Sequence, residues 1–215
     1  MDFIRARSEE QKNIRIRQIC EAALELFDTE PYDKITLVSI AKKLDFSRVN
    51  IYKYFHSKEE IYLILTMNEM NHFFQDILQT FEDVMTIDIE DFARTWSKTL
   101  FQHERLLKLC SILFGIIEKN ATVQCLAEFK KQLFVSIEKL YPTLKRLLPG
   151  LPEASILIFL DYQLHHIAGL YPDITLNEAQ LKAIQISGIP YEPKNFIDSF
   201  SDFLTTMILG LYQRH

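Results

Sequence analysis

Apolar residues in the first third of the chain recur at helical spacing and are interrupted at short intervals. Residues 9–29 carry one such series, which predicts an amphipathic helix that ends before Pro31. Its apolar positions are Ile16, Ile19, Ala23, Leu26 and Phe27. A shorter series follows Thr36, a residue type that caps helix N-termini. Its apolar positions are Leu37, Ile40, Ala41 and Leu44. The pattern predicts a long helix followed by a short one.

A tight turn and two further capping residues follow the short helix. Asp45 interrupts the apolar series, and aspartate tolerates turn conformations better than most residues. Ser47 can cap a second short helix that ends near Phe55, and Ser57 with Glu60 forms the capping-box pattern of a long helix. Two short helices joined by a three-residue turn form a helix-turn-helix. We therefore predict this motif near the N-terminus, although purely structural bundles can contain the same arrangement.

The rest of the chain predicts helices and no strands, because strand-type alternation of useful length does not occur. The predicted helices cover residues 58–82, 88–103, 105–118, 121–148, 152–171, 176–186 and 194–213. We predict an all-α fold with two domains. The first, residues 1–57, is an N-terminal three-helix domain that contains the helix-turn-helix, and the second, residues 58–215, is a C-terminal helical domain.

Composition supports the helical class and indicates the compartment. All five glycines lie beyond residue 114, so the N-terminal part has little use for the tight turns of hairpins and phosphate-binding loops. The three cysteines, Cys20, Cys110 and Cys125, form no C-x-x-C pair. The chain has no secretory start and no apolar run of about 18 residues. These features predict a soluble, cytoplasmic protein with buried thiols and no membrane segment.

Charge is distributed unevenly along the chain. The net charge is −5 overall, yet residues 1–58 contain eleven Lys and Arg against nine Asp and Glu. Residues 59–215 contain thirteen against twenty, so the excess of acid lies entirely in the larger part. A positive N-terminal region on an acidic protein is consistent with an anionic partner at one end only.

The second short helix has one buried side and one polar side. At about 100° per residue, Ile51 and Phe55 share a side that can face a core. Val49, Asn50 and Lys53 point away from that side. Plain solvent exposure would account for Lys53 alone, and partial burial with the hydroxyl in water for Tyr52 or Tyr54 alone. The prediction of a binding surface therefore depends on their position at one helix face.

The polar side carries groups suited to a DNA major groove. Asn pairs bidentately with adenine, Arg with guanine, and valine can contact the thymine methyl group, which assigns Asn50, Arg48 and Val49 to base edges. Tyrosine hydroxyls and lysines can hold phosphates. The candidates for this role are Tyr52, Lys53, Tyr54 and Lys58. Lys58 stands at a helix start, where a cation is unfavourable unless an anion lies nearby.

Two stretches of this region resemble the tetracycline-repressor (TetR) family of bacterial regulators. "ITLVSIAKKLDFS" resembles the first helix and turn of that family's DNA-binding motif, and "IYKYFHSKEEIY" resembles its recognition helix and the start of its fourth helix. Upstream, "ICEAALELF" fits its first helix. The resemblance covers about residues 12–65, and a weaker similarity to the regulatory region of one subgroup extends over 106–151.

The resemblance implies an all-helical homodimeric repressor. In it, residues 1–57 are the DNA-binding domain, and residues 58–215 are the effector-binding and dimerisation domain, which takes a small-molecule inducer. It places Thr36 against a phosphate. It places Ser47, Arg48, Val49, Asn50 and Tyr52 in or beside the groove, Lys53 and Tyr54 at base edges or backbone, and Lys58 on a phosphate. Two positions depart from the family pattern. Asp45 stands where glycine is usual, which puts standard turn geometry in doubt, and Val49 stands where glycine or proline is common.

A short recognition helix contacts few base pairs, so we expect a two-fold dimer on a palindromic double-stranded operator, with half-sites about 34–36 Å apart or a multiple of that. We predict pairing through the helices at 152–171 and 194–213. The candidate contact residues are Leu157, Leu160, Leu164, Ala168, Phe200, Phe203, Leu204, Met207 and Leu211. Burial within one protomer is the competing explanation for each of them.

The effector hypothesis requires a cavity in the C-terminal domain. Four aromatic residues could line a pocket for a small apolar or amphipathic molecule, although such residues more often belong to an ordinary packed core. They are Phe92, Trp96, Phe101 and Phe114. A DNA-binding regulator without an effector remains the alternative, and the sequence does not decide between repression and activation.

A helical-bundle metalloenzyme is the competing function class. Glu69 and His72 form an E-x-x-H pattern, and Asp161 and His165 lie one turn apart on another helix. A di-iron bundle needs two such patterns and two further carboxylates, and the sequence contains one. No P-loop, dinucleotide fingerprint or nucleophile elbow is present. The sequence therefore predicts no enzyme activity, no metal and no cofactor.

Overall fold

The computed structural model describes residues 2–214, and the side chains of residues 10–47 and 49–214. The N-terminal helices are α1 (Asp2–Thr29), α2 (Leu37–Lys43), α3 (Arg48–Ile51) and α4 (Lys58–Thr80), with a 3₁₀ turn at Tyr32–Lys34. The later helices are α5 (Ile89–Phe101), α6 (Glu104–Ile112), α7 (Glu118–Asn120), α8 (Val123–Leu147), α9 (Glu153–Ile174), α10 (Glu178–Ser187) and α11 (Phe196–Tyr212). The described residues form no strand, and the predicted all-α class is confirmed.

The chain divides into two compact units. The first comprises residues 1–68 and 113–132, and the second comprises residues 69–112 and 133–215. Helices α4 and α8 each contribute residues to both. These bounds differ from the predicted domains, 1–57 and 58–215, because the segment 113–132 packs with the N-terminal helices. The division by function therefore stays a prediction.

The core of the first unit brings the helix-turn-helix onto α1 and the start of α4. Ile19 and Ala23 of α1, Ile40 of α2 and Ile51 of α3 are each 0 % exposed. The Tyr62 hydroxyl of α4 donates to the Ala23 carbonyl at 3.0 Å, which satisfies the polar end of a fully buried ring. Burial of these side chains fixes α3 against the unit through one side only.

The second unit is a helical bundle around an aromatic cluster. Helix α11 packs along α5, and α9 packs against α6 and α11. Trp96 of α5 is fully buried and lies 5.5 Å from Phe92 and 5.3 Å from Phe159, measured between ring centroids. Its indole N–H donates to Gln163 Oε1 at 2.7 Å. Burial raises the pKa of the Cys110 thiol in this core to about 12, as expected for a structural cysteine.

Two helices differ from the sequence-based prediction. The helix predicted to reach Phe55 ends at Ile51, and the chain continues through single turns in which the Phe55 amide donates to the Ile51 carbonyl at 3.1 Å. The helix predicted over 105–118 is α6, a π-helical segment at Leu113–Ile117, and α7. None of the helices in the described part of the chain is both long and apolar enough to cross a lipid bilayer.

Candidate nucleic-acid interface and internal cavity

The turn between α2 and α3 is built around a left-handed residue. Thr36 caps α2 as predicted: its hydroxyl accepts from the Ser39 amide at 3.1 Å, and Ser39 Oγ accepts from the Thr36 amide at 2.9 Å. At the other end of α2, Asp45 adopts φ 53°. The Phe46 amide then donates back to the Ala41 carbonyl at 2.9 Å, which closes the turn. Asp45 thus adopts a left-handed backbone conformation in which glycine is the usual residue.

Helix α3 shows the two-sided arrangement expected from its sequence. Ile51 and Phe55 are 0 % and 4 % exposed, whereas Val49 is 70 % and Tyr52 is 44 % exposed. Asn50 and Lys53 are exposed beside them, and Tyr54 is half-buried. Ser47 directly precedes the helix, and the Asn50 amide donates to Ser47 Oγ at 3.3 Å. The Arg48 side chain lies outside the described residues, so its predicted base contact has no structural description.

Two residues of the exposed side are already paired with each other. Lys53 Nζ donates to Asn50 Oδ1 at 3.2 Å. This bond directs the amide nitrogen of Asn50 away from Lys53, which leaves donor capacity on that side chain. A carboxamide oxygen has two lone pairs, so Asn50 can keep this bond while accepting a second donor.

Helix α1 adds cations that the sequence analysis did not assign to this surface. Lys12 and Arg15 line a shallow polar groove together with Lys53 and Tyr54. The Arg15 guanidinium lies 5.2 Å from the centroid of Phe46, over the ring, and so reaches the turn. The signal in the sequence was a pair of cations three residues apart on a polar helix face. Only the packing of α1 shows which surface they join.

Lys58 has a structural partner that differs from the expected phosphate. Its Nζ donates to the carbonyls of Tyr32 and Ile35 at 2.6 and 2.8 Å, and lies 3.9 Å from the centroid of the Tyr32 ring. Burial lowers the pKa of Lys58, an effect that the charges of Glu59 and Asp33 oppose. In this position Lys58 fastens the segment before α2 to the start of α4. A role at DNA stays a prediction.

The start of α4 is held by a buried carboxylate. The Glu60 amide donates to Ser57 Oγ at 3.4 Å, as a capping box requires, but the Glu60 carboxylate accepts from the His56 amide at 2.7 Å rather than from Ser57. Thr122 Oγ1 donates to the other carboxylate oxygen at 2.6 Å. Burial would raise the pKa of Glu60, but the hydrogen bonds from Thr122 and His56 and the His56 ring lower it below its ordinary value.

A cavity of about 120 Å³ lies within the second unit. Helices α4, α5, α6, α8 and α9 line it with mostly apolar side chains. These are Met70, Phe73, Phe74, Leu100, Leu106, Cys110, Leu133, Ile137, Leu157, Leu160, Leu164 and Ile167. Two polar residues of α9 complete the lining. Gln163 is 4 % exposed, and the Asp161 side chain is 61 % exposed at the rim.

The four aromatic residues predicted to bind an effector do not surround this cavity. Phe92 and Trp96 are fully buried in the aromatic cluster next to it. Phe101 is 47 % exposed and stacks on Phe196 with 5.5 Å between ring centroids. Phe114 belongs to the first unit. The aromatic residues that line the cavity, Phe73 and Phe74, come instead from α4, since periodicity does not distinguish a cavity wall from a filled core.

The predicted dimer residues separate into two groups. Leu160, Phe200, Leu204 and Leu211 are at most 7 % exposed within the protomer. Their side chains pack inside the bundle and are not available to a partner. The others remain at least partly exposed. These are Leu157, Leu164, Ala168, Phe203 and Met207.

The residues of the metalloenzyme alternative do not form a site. His72 is exposed on α4, and His165 Nδ1 lies 2.8 Å from the Asp161 carbonyl of its own helix. Within the described residues, no three His, Cys, Asp or Glu side chains come together in a way that could hold a metal ion.

Comparison with known proteins identifies the family. Residues 19–64 match the model of bacterial regulatory proteins of the tetR family, and residues 67–215 match a tetracyclin repressor-like C-terminal domain. A stretch of 71 residues is 32 % identical to the biofilm operon icaADBC HTH-type negative transcriptional regulator IcaR of Staphylococcus epidermidis. That match covers 33 % of this chain and 38 % of the relative.

A solved structure shares the fold. The crystal structure of a TetR transcriptional regulator from Rhodococcus sp. RHA1 superposes with a TM-score of 0.55 over 95 % of this chain and 97 % of that one, at 12 % sequence identity. The two matched models together account for nearly the whole chain, and the C-terminal one alone for more than half. The protein therefore belongs to the TetR family of bacterial regulatory proteins.

Proposed function

We propose that the protein is a sequence-specific DNA-binding transcriptional regulator that reads the major groove with the exposed side of α3. The observation that carries this proposal is the two-sidedness of that helix. Ile51 is fully buried and holds it in place, while Val49, Asn50 and Lys53 are exposed. A surface of hydrogen-bonding and cationic groups that stays exposed among the described residues is suited to base edges and phosphates.

The proposed roles follow from side-chain chemistry and exposure. Asn50 and Arg48 bind base edges, Val49 contacts a thymine methyl group, and Tyr52 and Tyr54 contact the backbone. Ser47 and Thr36 lie at helix starts, where exposed amides favour phosphate. The groove cations Lys12 and Arg15 join this set as further phosphate contacts, because they share their groove with Lys53.

We further propose that two protomers bind a palindromic operator. A four-residue helix contacts only a few base pairs, so one protomer would bind weakly, and a two-fold dimer doubles the contact. The proposed contact surface is the exposed part of α9 and α11 around Ala168, Phe203 and Met207. The relative IcaR is named as a negative regulator, which supports repression as the mode of action.

Release by a small molecule is the proposed regulation, and the cavity of the second unit is the proposed site. Met70 and Phe73 of α4 line that cavity, and the same helix begins in the first unit. A ligand that favours one position of α4 would shift DNA affinity only by its difference in affinity between the two positions. A regulator without an effector remains the alternative.

Selection of bound sites from random duplex DNA tests the proposal, followed by anisotropy titration on the recovered site. We expect a two-fold symmetric motif. Asn50→Ala should relax base choice at one position per half-site and cost about 1–3 kcal/mol on the selected site. Lys53→Ala should weaken all sequences alike and reduce the salt slope by about one unit per half-site.

Lys182→Ala is the matched control, because Lys182 is an exposed lysine on α10 in the second unit. It should leave both affinity and salt slope unchanged. Recovery of no motif from a folded protein, or an equal effect of the Lys182 and Lys53 substitutions, would contradict the proposal.

A further inference from the structure

The cavity of the second unit is too small for most effector-sized molecules. Its volume is about 120 Å³. An apolar cavity of about 150 Å³ in another protein accepts benzene, and typical drug-sized ligands need about 300–1,000 Å³. A molecule of about one aromatic ring is therefore the upper limit without rearrangement of the surrounding helices.

The polar groups of the lining restrict the ligand further. The Trp96 indole N–H is a donor only, so the Gln163 atom that receives it at 2.7 Å is the amide oxygen. The bond to Trp96 does not use the amide nitrogen of Gln163, a residue of the cavity lining, and that nitrogen is a donor. Asp161 places a carboxylate at the rim, which disfavours an anion.

We infer that this cavity binds an uncharged molecule of about one aromatic ring that carries a hydrogen-bond acceptor for Gln163. The inference rests on the proposed function, because it names the class of effector for that site. Apolar residues from five helices supply the binding energy by burying the ring. An acceptor on the ligand can receive an N–H of Gln163 that the bond to Trp96 does not use.

The protein carries its own reporter for this binding. Trp96 is the single tryptophan of the chain, is fully buried, and is bonded to Gln163 of the cavity wall. Its ring centroid lies 5.5 Å from that of Phe73, which lines the cavity. Tryptophan emission, excited where the probes do not absorb, should therefore change on binding without any label.

The experiment titrates the full-length protein with phenol, toluene and benzoate by tryptophan emission, and with 1-naphthol, which absorbs where tryptophan is excited, by calorimetry. We expect saturable changes with phenol and toluene, and binding at least about tenfold weaker for the anion benzoate and the two-ring 1-naphthol. In Gln163→Met, phenol should lose about fivefold more affinity than toluene, because only phenol uses the amide donor. No saturable change with phenol and toluene, or tighter binding of naphthol or benzoate, would overturn the inference.

Filling variants locate the binding site. Ile137→Phe and Leu133→Phe enlarge half-buried wall residues of α8, which the partly open position should tolerate, and should abolish the probe response. Ile186→Phe, at a 77 % exposed residue of α10, is the matched control and should leave it intact. An unchanged response in folded Ile137→Phe and Leu133→Phe places the probe elsewhere and refutes the assignment.

Operator binding is measured on the same samples, so the two proposals fail separately. Intact DNA binding with no probe binding overturns the cavity inference alone and favours the regulator without effector. Probe binding at the predicted site without any DNA binding overturns the proposed function, and the cavity then remains a ligand site of unknown purpose.

Discussion

Asp45 shows how one residue determines the geometry between the two helices of the motif. Asp45 adopts φ 53°, and among the described residues it is the one non-glycine residue with a positive φ. A left-handed conformation costs an ordinary L-residue about 1–2 kcal/mol, while aspartate reduces that cost through local hydrogen bonding. The family-type turn therefore forms without the usual glycine, which resolves the doubt raised by the sequence.

The first prediction concerns this position. Asp45→Val should lower the free energy of unfolding by about 1–2 kcal/mol, because a β-branched residue is poorly accommodated at positive φ. Asp45→Asn, which tolerates the same conformation, should change it by less than about 0.5 kcal/mol. Urea unfolding followed by circular dichroism measures both. Equal midpoints for the Val and Asn variants would show that the turn stores no such strain.

A second prediction separates two lysines that looked alike in the sequence. Lys58 Nζ holds two backbone carbonyls, whereas Lys53 is exposed and bonded to Asn50. Lys58→Gln should destabilise the protein by about 1–2 kcal/mol, since two charge-assisted bonds are lost at a partly solvated site. Lys53→Gln should cost less than about 0.5 kcal/mol and act on DNA affinity instead. Denaturant unfolding of both variants measures their stability, and DNA titration measures their affinity. Equal stabilities of the two variants would show that Lys58 has no structural role.

At the scale of elements, the start of α4 is tied to the segment before α8. Glu60 accepts from the His56 amide and from Thr122, and Ser57 Oγ donates to the Asn120 carbonyl at 3.1 Å. All of these residues belong to the first unit. The capping-box pattern identified Glu60 as important for the helix start. Its long-range partner, Thr122, lies 62 positions away and could not be inferred from local spacing.

The third prediction is the pH dependence that follows from this site. The folded pKa of Glu60 is lowered, so its contribution to stability is complete above the ordinary glutamate pKa of about 4.3 and is lost as pH falls through the lowered folded value. Glu60→Gln should therefore be less stable than the wild type near neutral pH, with a difference that shrinks in acid. Thr122→Val should weaken the same dependence. Urea unfolding at a series of pH values provides the measurement, and a difference that grows in acid would contradict the assignment.

The chain between α6 and α8 does not form the regular helix that its sequence predicts. The apolar series over 105–118 is compatible with one continuous helix, and the structure contains α6, a π-helical segment and α7 instead. Leu113 and Ile117, the ends of the π-helical segment, are both 0 % exposed. A π-helical turn contains one residue more than an α-helical turn, and hydrophobic periodicity cannot resolve a shift of that size.

In the whole molecule, the sequence left one question open: whether the apolar faces of α9 and α11 pack within one protomer or against a second one. The bundle buries Leu160, Phe200, Leu204 and Leu211 internally. What remains for a partner is a narrower surface that includes Ala168 and Met207.

The fourth prediction tests that surface. Ala168→Arg should yield a folded protein with weakened self-association and, because one protomer contacts only one half-site, DNA binding reduced by at least about 100-fold. Met85→Arg changes a 70 % exposed residue of the same unit and serves as control. Sedimentation analysis with DNA titration distinguishes the two variants. A folded Ala168→Arg dimer with full DNA affinity would place the contact surface elsewhere.

The sequence by itself determined the helical class, the helix-turn-helix and the outward face of α3, because these depend on the spacing of apolar residues and caps within a few turns. Tertiary structure alone decided the role of Lys58, the pairing of Glu60 with Thr122, the cations that α1 adds, and which aromatic residues line a cavity. Each of those depends on which distant side chains meet, and local periodicity does not encode that.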